Sequence, residues 1–307
     1  MNSRAAILIA GPTASGKSAA AVVLAERIGG VIVNADSMQV YRELAIVTAR
    51  PGPADVGRVP HRLYGHVATA DAFSVGLWVA DAASELVRAR AEGLVPIIVG
   101  GTGLYFEALL RGLSPVPAIA PDIRTHWRAE ATRLGPEALH ALLAARDPAM
   151  AERLRPSDPQ RVTRAIEVIV ATGRSLADWH GEAGAPLLRP EEVTRIVMQP
   201  TREHLYASCD SRFDDMLRAG AVAEVAALLR QQLPTERPAM RATGVPALAA
   251  HIRGELTLAE AATRAKLETR QYAKRQMTWN RGRMADWTAI ARTAPEVAAD
   301  QILALRA

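Results

Sequence analysis

Gly11-Pro12-Thr13-Ala14-Ser15-Gly16-Lys17-Ser18 matches the phosphate-binding loop pattern G-x-x-x-x-G-K-[ST] at every fixed position. Its flanks are those the pattern needs. Ahead of it, Ala5-Ala6-Ile7-Leu8-Ile9-Ala10 is a short apolar run, the signature of a buried parallel strand. Behind it, Ala19-Ala20-Ala21-Val22-Val23-Leu24-Ala25-Glu26-Arg27 is a run of good helix formers. Gly11 and Gly16 let the backbone curl into a nest of N–H donors, and the helix N-terminus adds its partial positive charge. Lys17 can reach a terminal phosphate, and the Ser18 hydroxyl can hold Mg²⁺. A glycine-rich turn without a ligand would need neither the lysine nor the hydroxyl.

Two further apolar runs read as buried strands, Val31-Ile32-Val33 and Pro96-Ile97-Ile98-Val99. The first runs into Asn34-Ala35-Asp36-Ser37-Met38-Gln39-Val40-Tyr41, the second into Gly100-Gly101-Thr102-Gly103-Leu104-Tyr105-Phe106. Open α/β sheets bind ligands at the carboxyl ends of their strands, so Asp36 lies where a substrate-facing residue would lie. It reads equally well as the N-cap of the next segment. Typical nucleotide hydrolases with this loop end such an apolar strand in a metal-holding aspartate. Here that position is Gly-Gly-Thr, which argues against a motor or switch ATPase and predicts a close backbone approach to a second ligand. Residues 45–66 read as loop from their Pro and Gly density. Gly76 to Ala91 reads as a helix with Leu77, Ala80, Ala83, Leu86 and Val87 on one side.

From about Ser114 to Pro200 the character changes. Pro115, Pro117 and Pro121 mark a boundary, and Asp122–Leu134, Glu137–Arg146, Ala149–Arg153 and Asp158–Ala171 read as successive helices. Arg161 and Arg164 share a helix face there, suited either to salt bridges or to phosphate contacts. Val193-Thr194-Arg195-Ile196-Val197-Met198 returns to the sheet. Leu205 to Leu229 is helical, interrupted near Gly220, with Arg212 at its start, and Arg241-Ala242-Thr243-Gly244-Val245-Pro246 is a turn. Thr257 to Arg283 carries Arg264, Lys266, Arg270, Lys274, Arg275, Arg281 and Arg283, with Glu268 the only acid after Arg264. Tyr272, Trp279 and Trp287 are interleaved. The segment reads as a solvated helix or as a polyphosphate or nucleic-acid face. The tail after Asp286 reads as a small closing helix.

The predicted fold is α/β: a P-loop NTPase-like parallel sheet core flanked by helices, residues 1–114 and 195–307, with a mostly helical insertion domain, residues 115–194. A chain of 307 residues is long enough for this. No stretch approaches the length of a membrane span, and no signal-peptide pattern opens the sequence. The single cysteine, Cys209, excludes an intrachain disulfide and reads as structural. A cytoplasmic protein is expected, and nothing in the sequence points to an assembly interface, so a monomer is expected too. The net charge of +5 by itself says little about a polyanionic partner.

Together, Gly11–Ser18, Asn34–Tyr41, Pro60–Leu63, Phe73-Ser74, Pro96–Phe106, Asp158–Gly173, Arg212–Val225 and Thr269–Gln276 with Thr278-Trp279 resemble the bacterial tRNA dimethylallyltransferase family, in its order and over nearly the whole chain. The resemblance implies transfer of a dimethylallyl group from its diphosphate to N6 of the adenine just 3′ of the anticodon. It implies a diphosphate held by Gly11, Pro12, Thr13, Ala14, Ser15, Gly16, Lys17 and Ser18, with Mg²⁺ on Ser18, and a catalytic set of Asp36, Thr102 and Arg212. For the tRNA anticodon stem-loop it implies Asp36, Ser37, Met38, Gln39, Thr102, Gln160, Arg161, Val162, Thr163, Arg164, Arg241 and Gly244. The basic helix adds Arg270, Lys274 and Arg275. The chain departs from the family at Ala45-Ile46-Val47-Thr48-Ala49-Arg50-Pro51, where Asp-Ile-Gly-Thr-Ala-Lys-Pro is usual, and at Gly244-Val245, where Gly-Tyr is usual. Two other classes use some of the same residues. A P-loop kinase of a small metabolite needs neither the insertion nor the basic helix. A non-catalytic RNA-binding protein leaves Lys17 and Ser18 unexplained.

Overall fold

The computed structural model describes residues 6–182 and 184–306; Ala5, at the head of the first predicted strand, lies outside them. Among the described residues six strands form one parallel sheet. They are β1 (Ala6–Ala10), β2 (Gly30–Asn34), β3 (His61–Arg62), β4 (Val95–Gly100), β5 (Val193–Met198) and β6 (Thr288–Ile290), in the order β3-β2-β4-β1-β5-β6. Strand alternation splits the apolar runs between two cores. Leu8, Val33, Ile98 and Val197 face a layer containing Trp78, Phe106, Phe213 and Leu248. Ile7, Ile9, Ile97, Val99 and Ile196 face the helix α1 (Lys17–Ile28) and the last helix, Pro295–Ala304, through Ala21, Leu24, Ala298 and Ile302.

The register sets the site. Ala10 pairs with Gly100 on one side and Val197 on the other, and Asn34 pairs with Val99. The residues just beyond β1, β2, β4 and β5 therefore emerge along one edge of the sheet.

Two strands escaped the sequence reading. β3 lies inside the expected loop 45–66, which also holds a short helix, Pro53–Val56, and β6 precedes the closing helix. At two and three residues, neither is long enough to show a period. The helix Val75–Ala91 forms as expected, but its buried side is Trp78, Ala82 and Ala89, while Leu77 and Val87 are 51% and 69% exposed. Trp78 decides the rotation. Its ring is fully buried, stacks on Tyr105 at 4.1 Å, and donates Nε1–H to the Asn34 carbonyl at 2.8 Å. Arg212 lies in the middle of the helix Arg202–Arg218 rather than at a helix start.

The loop that departs from the family pattern is fully organised. Glu224 accepts the backbone N–H groups of Ala45, Ile46 and Val47 at 2.7, 2.8 and 2.9 Å. Arg50 donates from Nη1 to the carbonyls of Tyr41 and Arg42 at 3.1 and 3.0 Å. Val245, at the other departure, is wholly buried.

The chain divides into two compact units, Met1–Leu110 with Leu187–Ala307, and Arg111–Pro186. The smaller is helical: Pro121–Leu134, Pro136–Arg146, Pro148–Ala151, Pro159–Thr172 and Leu176–Trp179. A proline at the first helical position starts the first four, where the missing N–H costs nothing. Their core is Trp127, Leu139, Leu143, Val162 and Ile166. The buried Asp147 carboxylate caps Met150 N at 3.0 Å and accepts the Ser175 hydroxyl at 2.8 Å. Among the described residues no helix is long and apolar enough to cross a membrane.

Candidate active site

At the end of β1 the phosphate loop turns through two left-handed residues, Ala14 at φ 62° and Gly16 at φ 90°. Only glycine takes the second conformation without strain. α1 then begins with no side-chain cap on Gly16 and no acid in its first turn, which leaves its first N–H groups available to an anion. Lys17 folds back and donates from Nζ to the Pro12 carbonyl at 3.1 Å. Its burial, and next the neighbouring Arg212, bring its pKa down to about 8, against an upward pull from Asp36 and Cys209. Arg212 donates from Nη1 to the Thr13 hydroxyl at 3.2 Å, and burial lowers its pKa too. A buried lysine and a partly buried arginine beside one carboxylate make a site with positive charge to spare, which an anion would complete. Ser18 is exposed on the first turn of α1. Cys209 is buried against Ala14, Leu205 and Ala273, and burial raises its thiol pKa.

Asp36 lies just beyond β2 and is held by Asn34, a fully buried residue. The Asn34 amide accepts from Asp36 N at 2.8 Å and donates to the carbonyls of Asp36 and Leu63, both at 3.0 Å. One carboxylate oxygen of Asp36 accepts Met38 N at 2.9 Å. No helix starts at Asp36, so it closes a local turn instead of capping one.

The end of β4 is pressed onto this turn. Thr102 donates its N–H to Ala35 O at 3.1 Å, and its hydroxyl oxygen accepts Ser37 N at 2.9 Å. A Cβ on Gly100 would sit 2.0 Å from Ala35 O, and one on Gly101 would sit 2.2 Å from the Gln276 amide nitrogen. These glycines therefore serve a close approach of the chain to itself, where the sequence suggested a ligand. The phenols of Tyr64, Tyr105 and Tyr272 have pKa values raised first by burial and next by Asp36, so they stay protonated near neutral pH.

The residues expected to touch RNA are distributed unevenly. Gln39 spends its amide on the Thr48 and Ala49 carbonyls at 2.8 and 3.0 Å. Arg270 is paired with Asp210 at 2.6 Å, and Lys266 with Asp214 at 2.6 Å, so part of the basic helix, Leu258–Arg283, is neutralised by the helix Arg202–Arg218. Lys274 and Arg275 are exposed and form no ion pair among the described residues. They line an open cavity of about 550 Å³ with Gln271, Thr278 and Trp279. Arg241 is exposed, and Gly244 is the left-handed residue, φ 92°, ahead of the helix Val245–Ile252. In the smaller unit Gln160 and Arg161 are exposed and Arg164 partly so, but Val162 belongs to the core and the Thr163 hydroxyl is bonded to Pro159 O at 2.7 Å. Arg161 and Arg164 also lie 3.4 Å from Asp158 and Glu167.

Two side chains that build the site were missed. Asn34 had a local signal, since an Asn two residues before an Asp at a strand end is suited to an Asx turn. Gln276 fell in the family-like stretch Thr269–Gln276 but had no local signal of its role, since its partners lie 263 and 175 residues away in sequence.

Among known proteins, the family model described as IPP transferase matches residues 39–283. A tRNA dimethylallyltransferase of Rhodopseudomonas palustris (strain BisB18) is 57% identical over 297 residues, 97% of this chain and 93% of its own. The full-length tRNA isopentenylpyrophosphate transferase of Bacillus halodurans is similar in structure, with a TM-score of 0.69 and 31% identity over 98% of this chain and 93% of that one. A eukaryotic dimethylallyltransferase solved acting on tRNA gives a TM-score of 0.79 at 25% identity, covering 94% of this chain and 74% of that one.

Proposed function

The chain belongs to the IPP transferase family, and from that premise we propose that it transfers a dimethylallyl group from dimethylallyl diphosphate to N6 of the adenine just 3′ of a tRNA anticodon. The observation that carries the reading is the convergence of two cations on the phosphate loop, the buried Lys17 bonded to Pro12 O and the partly buried Arg212 bonded to the Thr13 hydroxyl, with the Asp36 carboxylate just beyond β2. In the reaction the donor's C1–O bond breaks, the C1–N6 bond forms, diphosphate leaves, and the N6 proton passes to Asp36. The loop N–H groups, Lys17 and Arg212 neutralise the charge that grows on the leaving oxygen, where fixed donors in a dry site act most strongly. Asp36 is held rigidly through Asn34, and Thr102 braces the turn that carries it. The three protonated phenols do not compete with Asp36 as base.

Mg²⁺ fits the donor set. Among the described residues no group of three His, Cys, Asp or Glu side chains could hold a metal alone. The Ser18 hydroxyl, exposed on the first turn of α1, would hold the ion together with water and substrate phosphate oxygens, as the phosphate-loop pattern provides. Bound there, it would supply further neutralisation of the diphosphate.

A stacked adenine cannot reach Asp36, so the target base must be flipped from the loop. Ser37, Met38 and Thr102 would border it. Lys274, Arg275, Arg241 and Gly244 of the larger unit, and Gln160, Arg161 and Arg164 of the smaller, would meet the anticodon stem-loop. Val162, Thr163, Gln39 and Arg270 would act by shaping the surfaces around them. A tRNA substrate favours a cytoplasmic protein, and one chain carries both the diphosphate and the base sides, so a monomer suffices.

The test is transfer of labelled dimethylallyl diphosphate to unmodified tRNA with Mg²⁺. Label enters the tRNA with the parent chain. With Asp36→Ala it falls roughly 10²- to 10⁴-fold, the range for loss of a positioned base, while tRNA binding persists. Phosphate transfer from ATP to a small hydroxyl compound, with no prenyl transfer, would replace this reading by the kinase.

A further inference from the structure

We propose that Gln276 is a positioning residue of the transfer reaction, holding the diphosphate loop and the base-side loop at one fixed separation; this rests on the transferase reading above. Its side chain is 6% exposed and both ends of its amide are used. Oε1 accepts Thr13 N at 2.9 Å, and Nε2 donates to Gly101 O at 2.9 Å. Each bond reaches a different half of the site. Thr13 carries Arg212 on its hydroxyl. Gly101 precedes Thr102, which is tied to Ala35 and Ser37 on either side of Asp36.

One planar amide presents a donor and an acceptor pointing apart, so it joins two loops that offer one N–H and one carbonyl. No other neutral side chain of that length except glutamine does this. The absence of a side chain at Gly101 is the matching feature, because a Cβ there would occupy the space of the amide nitrogen. In a direct displacement the leaving oxygen, carbon and attacking nitrogen lie roughly in line. The separation of the two loops then sets the distance between leaving oxygen and attacking nitrogen that the prenyl carbon bridges, and displacements on the order of 1 Å cost up to about 100-fold in rate. Lys274 and Arg275 point outward on the same helical turn, so the helix that offers cations to RNA also carries the strut between the loops.

The experiment compares Gln276→Met, which keeps the length and loses both bonds, with Gln276→Glu, which keeps the acceptor for Thr13 N and loses the donor to Gly101. Five readouts are taken: kcat, KM for dimethylallyl diphosphate, tRNA affinity, melting temperature, and the ratio of diphosphate released to label transferred. For Gln276→Met, kcat is expected to fall roughly 10- to 100-fold, tRNA affinity to hold, and released diphosphate to exceed transferred label. For Gln276→Glu, kcat falls while KM stays near the parent value, because the diphosphate side keeps its bond. If Gln276→Met transfers like the parent with one diphosphate per label, the inference is overturned. If both variants lose tRNA binding and melting temperature in step with activity, Gln276 is structural and the inference is overturned as well. A parent chain that transfers no label sinks the transferase reading, which separates the two failures.

Discussion

Lys17 is buried with its pKa near 8, against an ordinary 10.5, and burial is the main cause. Binding a diphosphate would place negative charge beside it and raise that pKa well above neutrality, so binding takes up a proton whenever the free lysine is neutral. With a free-state pKa of about 8, Lys17 is about nine-tenths charged at pH 7 and about one-tenth charged at pH 9. Diphosphate binding should therefore weaken by about tenfold between these pH values through Lys17 alone. The assay is calorimetric titration of Mg²⁺-diphosphate into the parent chain and into Lys17→Met at pH 7, 8 and 9. The ligand titrates too, but equally in both, so the difference in pH slope belongs to Lys17. The parent should lose the extra tenfold; Lys17→Met should bind weakly with only the ligand's own slope. Equal slopes would refute the reasoning. Stability gives a second reading with a fixed sign. The folded chain sheds this proton before the unfolded chain does, so stability relative to Lys17→Met rises with pH between about 8 and 10.5, by roughly 3 kcal/mol in all.

The contacts set three further expectations. Gly100→Ala forces a methyl to 2.0 Å from the Ala35 carbonyl. Neither strand end can yield, so the protein should lose about 3 kcal/mol or more in denaturant unfolding, and a parent-like midpoint would contradict the close approach. Glu224→Ala leaves three N–H groups of the 45–47 loop without their acceptor. It should cost about 2–4 kcal/mol and speed proteolysis in that loop, and parent-like cleavage would show that Glu224 does not order it. Lys274→Ala should weaken tRNA binding and lower the slope of log affinity against log salt by about one ion, as for a lost phosphate contact. Arg270→Ala, which strands Asp210, should act mainly on melting temperature. The reverse pattern would reassign the two residues.

Much of the site was legible because its parts are short, local and chemically specific. The phosphate loop needs no partner to be read, since glycines at Gly11 and Gly16, an ammonium at Lys17 and a hydroxyl at Ser18 fall within eight residues of one another and sit between a strand and a helix. Asp36 and Gly100–Thr102 could be located as strand ends, because β2 and β4 are buried on both faces and leave unbroken apolar runs. The four proline-led helices of the smaller unit were likewise written in local punctuation.

Tertiary structure decided what depends on contacts between distant segments. Sequence assigned the glycines at the end of β4 to a ligand, yet their space is taken by Ala35 and Gln276. Helical period placed Leu77 and Val87 among the apolar residues of one side, but burying Trp78 turned both outward. Charge counting listed Arg270 among the cations of the basic helix, and only the fold shows that Asp210 on another helix pairs with it. The strands β3 and β6 exist because a neighbouring strand offers an unpaired edge, and two or three residues hold no periodic signal of that offer. Local chemistry is carried by the residues themselves and survives in the sequence. The direction a side chain faces and the partner that neutralises it are settled only when segments hundreds of residues apart compete for the same space.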